Sequence, residues 1–186
     1  MEAQGTRKGV ETVECGREPT GNRLVAIILR REQLLYDVGN YCHIEGDIMP
    51  EDTQHSRHMV QDVAQEGNAD RVTRILDIVR DDVAERLYPF TQTRIHHPAV
   101  DDHLRERPVY AIFLNVPESY SQTTLNLLGK LIHELMVCMA MADWMSITNP
   151  PKEETWSRKA EATLRRIHQV KGQTRDRARI RPHWLG

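Results

Sequence analysis

Three cysteines in 186 residues, Cys15, Cys42 and Cys138, are too few and too far apart for a disulfide framework, and none stands in the C-x-x-C spacing of a zinc knuckle. Aromatic residues make up only 5 % of the chain, so packing falls to Leu, Ile, Val, Met and Ala and the expected core is aliphatic. A net charge of −2 excludes a uniformly basic nucleic-acid binder, so attraction to phosphate has to come from a local cluster. The first 22 residues lack the apolar stretch of a secretory signal, and the longest unbroken apolar run, Leu135 to Ala142, is far short of a bilayer span. A reducing, intracellular setting without membrane insertion is the expectation.

Catalytic signatures are missing as well. The chain has no G-x-x-x-x-G-K-[ST] phosphate loop, no G-x-G-x-x-G dinucleotide turn and no G-x-S-x-G nucleophile elbow. His133 and Glu134 begin a zinc-protease pattern, but Val137 occupies the place of its second histidine, so His133 reads as a partly buried hydrogen-bonding side chain on a helix. His55 and His58 share a helical spacing, and His96, His97, Asp101, Asp102 and His103 gather in one loop. Such a set suits zinc, iron, nickel or manganese, which makes a metal-dependent helical enzyme one alternative; solvated surface residues outweigh it. His43, Glu45 and Asp47 beside Gly46 read as solubilising groups at a turn. No catalytic residue, cofactor or metal is assigned.

What the chain does contain is helical periodicity. After Asn22 as N-cap, Arg23 to Val38 places Leu24, Ile27, Ile28, Leu34, Leu35 and Val38 near helical spacing, with Gly39 and the stretch from Gly46 to Pro50 as stops. A short helix is expected over Asp52 to Glu66, closed by Gly67, and another over Ala69 to Leu87, capped by Asn68. Val109 to Val116 is a strand with apolar residues on both faces, expected to be covered by a helix on one side and by a neighbouring subunit or a terminal arm on the other. Its edge is expected to pair with Phe90 to Ile95 in a hairpin or, alternatively, with a strand from a partner. Ser121 to Ile147 is one long helix stopped by Asn149, Pro150 and Pro151, apolar nearly all round from Leu135 to Met145 except at Asp143. Lys152 to Val170 is a last amphipathic helix that packs on it.

The expected fold is therefore mainly α: a helical bundle around one long central helix, with a small β-hairpin and extended terminal arms. Residues 1–22 form an N-terminal arm, 23–170 the helical domain with its inserted hairpin, and 171–186 a basic tail. That tail sets Lys171, Arg175, Arg177, Arg179 and Arg181 against Asp176, a formal +4 within a slightly acidic chain. In an extended strand its alternating arginines take one side and could meet successive phosphates or an acidic protein groove, with Trp184 as an anchor. A nucleic-acid-binding module acting through this tail is a second alternative, and a tail folded back on the protein's own acidic helix surface is the plainer one.

The Y-A-I-F-L-N-V-P stretch from Tyr110 and the A-D-W-M-S-I-T-N-P stretch from Ala142 belong to a succession of small helices, a strand, a long Leu, Met and Ala-rich helix and a Trp-bearing helix. That succession resembles small structural proteins of tailed bacteriophages and prophages. The resemblance implies a virion component near the head-to-tail junction or tail, where copies form a ring and arms lock neighbours together. The leading expectation is a non-enzymatic adaptor that forms a homo-oligomer through its central helical region and contacts neighbouring structural proteins, Phe113 and Trp184 being candidate assembly contacts.

Overall fold

A computed structural model describes residues 10–17, 21–50, 54–91 and 108–172, and it is mainly helical with one small antiparallel sheet. The elements run β1 (Val10–Arg17), β2 (Arg23–Arg30), α1 (Arg31–Ile48), α2 (Gln54–Gln61), a 3-10 turn over Asp62–Ala64, α3 (Glu66–Arg86), β3 (Val109–Val116), α4 (Gln122–Thr148) and α5 (Pro150–Gly172).

Two expectations fail in the first fifty residues. Arg23 to Arg30 is the middle strand of a sheet ordered β1-β2-β3, not the start of a helix. Its β-branched Val25, Ile27 and Ile28 favour extended backbone, and neighbours on both sides satisfy its peptide groups. Asn22 consequently precedes a strand and caps nothing. Val10 to Arg17, assigned to a polar arm, pairs antiparallel with β2 from Val10↔Leu29 to Arg17↔Arg23, with a bulge between Glu14 and Gly16. Gly21, in the left-handed region at φ +82°, sits at the entry to β2, where a side chain would be strained.

β2 runs directly into α1, whose first amide, on Arg31, donates to the Pro108 carbonyl at 3.1 Å. The helix continues through Gly39 and Gly46, which were expected to stop it, and ends before Pro50. Gly67 lies in the first turn of α3 instead of closing the preceding helix. The break falls at Gln65, whose extended backbone (φ −66°, ψ 147°) separates the 3-10 turn from α3. Asn68 is likewise inside α3, and its side-chain amide donates back to the Asp62 carbonyl at 2.8 Å.

β3 pairs with β2 from Val109↔Arg30 to Val116↔Arg23. β3 is thus an edge of a three-stranded sheet, and on its other side Phe90 meets it: the Phe90 carbonyl accepts from the Asn115 amide at 2.7 Å. The rest of the expected hairpin with Phe90 to Ile95, from residue 92 on, lies outside the described residues. Asn149 alone separates α4 from α5, and Pro150 and Pro151 open α5. Proline lacks only an amide that the first turn of a helix leaves unbonded, so the same residues that stop α4 can start its successor.

α4 packs against α5, α3, α1 and α2 and crosses β1 and β2. At Gly129 it comes close against the sheet, since a Cβ there would stand 2.9 Å from a Val10 methyl. By length and composition α4 could cross a membrane, but 61 % of its most apolar stretch is buried inside this fold. The core joins Val25, Ile27 and Leu29 of β2 to Ile112 and Leu114 of β3 and to Leu125, Ile132, Met136 and Met141 of α4. A charged clasp closes α3 onto α4: the Arg71 guanidinium holds Asp143, the one acidic residue in that apolar stretch, at 2.8 and 3.1 Å.

Candidate functional site

The sheet has two unlike faces. Strand alternation turns Tyr110, Ile112, Leu114 and Val116 inward, where all four are buried, and turns Val109, Ala111, Phe113 and Asn115 outward. Within one chain the inner face of β3 is covered, whereas on the outer face, where a neighbouring subunit or a terminal arm was the expected cover, Val109 and Phe113 are 43 % and 45 % exposed. Across the outer face Val13, Ala26 and Phe113 stand in register, one from each strand. Val13 is exposed too, and the small Ala26 between them is buried. Glu11 and Arg30, 3.5 Å apart, make an ion pair at one end of this apolar row.

The outer edge of β3 is a second surface. Because the Asn115 amide points away from β2 toward Phe90, alternation directs the peptide groups of Val109, Ala111 and Phe113 the same way. Among the described residues none of these three outward amides has a backbone partner. They face a groove of about 710 Å³ between β3 and the C-terminal half of α3, lined by Arg80, Ala84, Glu85, Tyr88, Ala111 and Phe113 among others. Arg80 is already paired with Asp81 at 3.0 Å, whereas Glu85 is exposed.

The residues singled out in the sequence scatter. His55 and His58 are exposed on α2, and no group of three or more metal-binding side chains occurs among the described residues. His96, His97, Asp101, Asp102 and His103 lie outside the described residues, as do Arg175, Arg177, Arg179, Arg181 and Trp184. Lys171 is described, and its ammonium donates to the Arg86 carbonyl at 2.5 Å and to the Tyr88 carbonyl, a cation placed at the C-terminal end of α3. Phe113, the candidate assembly contact, is the exposed ring of the outer face.

A polar seam went unread in the sequence. Asp37, Tyr41 and Glu45 recur every four residues along α1, on the side facing α4 and α5. Asp37 meets His133 of α4 at 2.7 Å, which makes His133 the hydrogen-bonded side chain its sequence context predicts. Tyr41 packs edge-on against Trp156 of α5, and the Glu134 carboxylate, with burial, raises its phenol above the ordinary value. Glu45, read as a solubilising group, is buried: it accepts from the Trp156 indole at 3.2 Å and pairs with Lys152 at 2.9 Å. The i, i+4, i+8 spacing was the available signal. These contacts join three helices of one chain, and each partner is already engaged.

The buried thiols are held protonated at neutral pH. Burial, helped by the Glu45 carboxylate, pushes Cys42 up to about 12, and burial with Glu134 does the same to Cys138. A thiol so far above its ordinary range is a poor nucleophile and a poor metal ligand. Comparison with protein families, with curated proteins and with solved structures finds no match.

Proposed function

We propose that this protein is a non-enzymatic structural adaptor that forms a homo-oligomer and joins a larger assembly, with a helical body organised on α4 and the outer face of its sheet as the contact surface. The row Val13–Ala26–Phe113 carries the reading: two exposed apolar side chains flank a small one across the outer face of the sheet, beside the groove that α3 borders. The expected route through Leu135 to Met145 is replaced, because α1, α2, α3 and α5 of the same chain consume that stretch; apart from Met139 its apolar side chains are buried.

A second copy is the occupant that fits. Ala26 is small beside Val13 and Phe113, and in the arrangement proposed here the Phe113 ring of each copy packs against the apolar row of the other. The organisation resembling tailed-phage structural proteins narrows the assembly to the head-to-tail or tail region of a virion, built inside the host cell. Native mass measurement of the full chain tests the reading. A defined multimer supports it, and a chain that stays monomeric at every concentration, alone and in its native complex, overturns it.

A further inference from the structure

We infer that the outer face of α3 is a second contact between copies of this chain, in which two α3 helices lie antiparallel across a two-fold axis at Ile78. The inference rests on the homo-oligomer reading and adds the contact that joins one pair of copies to the next.

Ile78 is 68 % exposed in the middle of α3, a helix whose Val72, Leu76, Val79 and Val83 are all buried. Arg71 and Arg74 precede it, Asp81 and Glu85 follow it, and all four are exposed. These five positions alternate steps of three and four, the spacing that keeps one line of side chains turned toward a neighbour along an α-helix.

The charges on that line are not accounted for within one chain. Arg74 and Glu85 make no ion pair among the described residues. The other two are only half used. Asp143 holds Arg71 through Nε and one terminal nitrogen, leaving the second terminal nitrogen, and Arg80 takes only the Oδ1 atom of Asp81. Roughly 10 Å of helix separates Arg74 from Asp81, so these two cannot neutralise each other in one copy. Glu85 stands in the last turn of α3, where the helix dipole disfavours a carboxylate.

Read outward from Ile78 in both directions, the line is its own complement. A two-fold axis there stacks the Ile78 side chains of the two copies and sets Arg74 opposite the partner's Asp81 and Arg71 opposite the partner's Glu85. A parallel pair would set like charge on like charge at every charged position, so charge selects the antiparallel order. One apolar layer is too small a contact to hold two free copies together. It therefore works between pairs that the sheet face has already joined, and two different two-fold contacts on each copy build a closed ring or an open chain.

Native mass measurement and a thiol trap on the full chain test the contact. Arg74→Glu should cut the assembly down to the sheet-face pair without changing the circular dichroism signal, and adding Asp81→Arg, which exchanges the two charges, should restore the larger mass. In a Cys15→Ala chain with oxidised glutathione as the oxidant, Ile78→Cys should form a disulfide-linked pair at least about tenfold faster than the exposed Arg158→Cys on α5, and Arg74→Glu should remove that advantage. Equal trapping rates at the two positions, or an assembly whose mass Arg74→Glu leaves unchanged, overturns the inference. The two contacts fail separately. Phe113→Lys acts on the sheet face alone, so a fast Ile78→Cys trap in a chain whose mass ignores Phe113→Lys would keep the α3 contact and remove the other.

Discussion

Phe113 and Val13 stand two strands apart on one row of the outer sheet face, with Ala26 between them as the shared cross-strand partner. Each is exposed, so a charge at either position stays in water and spares the fold. Phe113→Lys and Val13→Lys should both leave the helical circular dichroism signal unchanged, within about 0.5 kcal/mol in denaturant stability, as expected of surface substitutions. Both should reduce the oligomer to monomer in native mass measurement. Unchanged mass for both variants would remove the outer face from the assembly.

Ile112 is the neighbour of Phe113 in sequence and its opposite in environment, only 2 % exposed and packed in the core. Ile112→Lys drives an unpaired ammonium into that layer and should cost on the order of several kcal/mol, enough to abolish cooperative unfolding in a domain of ordinary stability. Denaturant titration beside Phe113→Lys separates a folding defect from an assembly defect at adjacent residues.

The contrast also explains what the sequence could and could not tell. α4 was legible because Ser121 precedes it, Asn149 follows it and the apolar periodicity between them runs on with no proline. β3 was legible from alternation, but its partner was not: β2 has Leu24 to Leu29 apolar without interruption, a run that fits a helix and a central strand equally. β1 lies in a stretch, Met1 to Asn22, whose polar composition reads as an arm, and only its pairing with β2 shows the strand. Tertiary pairing decided both. For the interaction surface, sequence singled out Phe113 as a contact with another chain, but nothing local reveals that α4 packs on the opposite face of the sheet.

Glu45 ties two helices together through one carboxylate. Glu45→Gln keeps an acceptor for the Trp156 indole and loses the ion pair with the partly exposed Lys152, which should cost less than about 1 kcal/mol. Glu45→Ala strands the buried indole N–H and should cost about 1–3 kcal/mol. Thermal or urea unfolding of the two variants measures the difference, and equal costs would show that the indole bond contributes nothing to stability.

The three thiols should divide by burial. Cys15 is exposed, whereas Cys42 and Cys138 are enclosed, with Cys42 Sγ 3.5 Å from Met141 Sδ. In the native protein iodoacetamide should therefore label Cys15 alone, and denaturant should release the other two. The same burial sets an alkaline limit on stability. Both buried thiols titrate at about 12 in the folded chain, above the ordinary 9.0 that applies once they are exposed by unfolding. A raised folded value favours the fold as long as the thiol stays protonated in both states, so the contribution is complete below pH 9. Between 9 and 12 the unfolded chain loses thiol protons while the folded chain keeps them, and stability falls across that window. Tyr41, also raised, pushes in the same direction at higher pH. The melting temperature should hold up to about pH 9 and then decline, and the double variant Cys42→Ala, Cys138→Ala should start lower but decline less steeply. Parallel declines in the two proteins would show that other groups govern the alkaline loss.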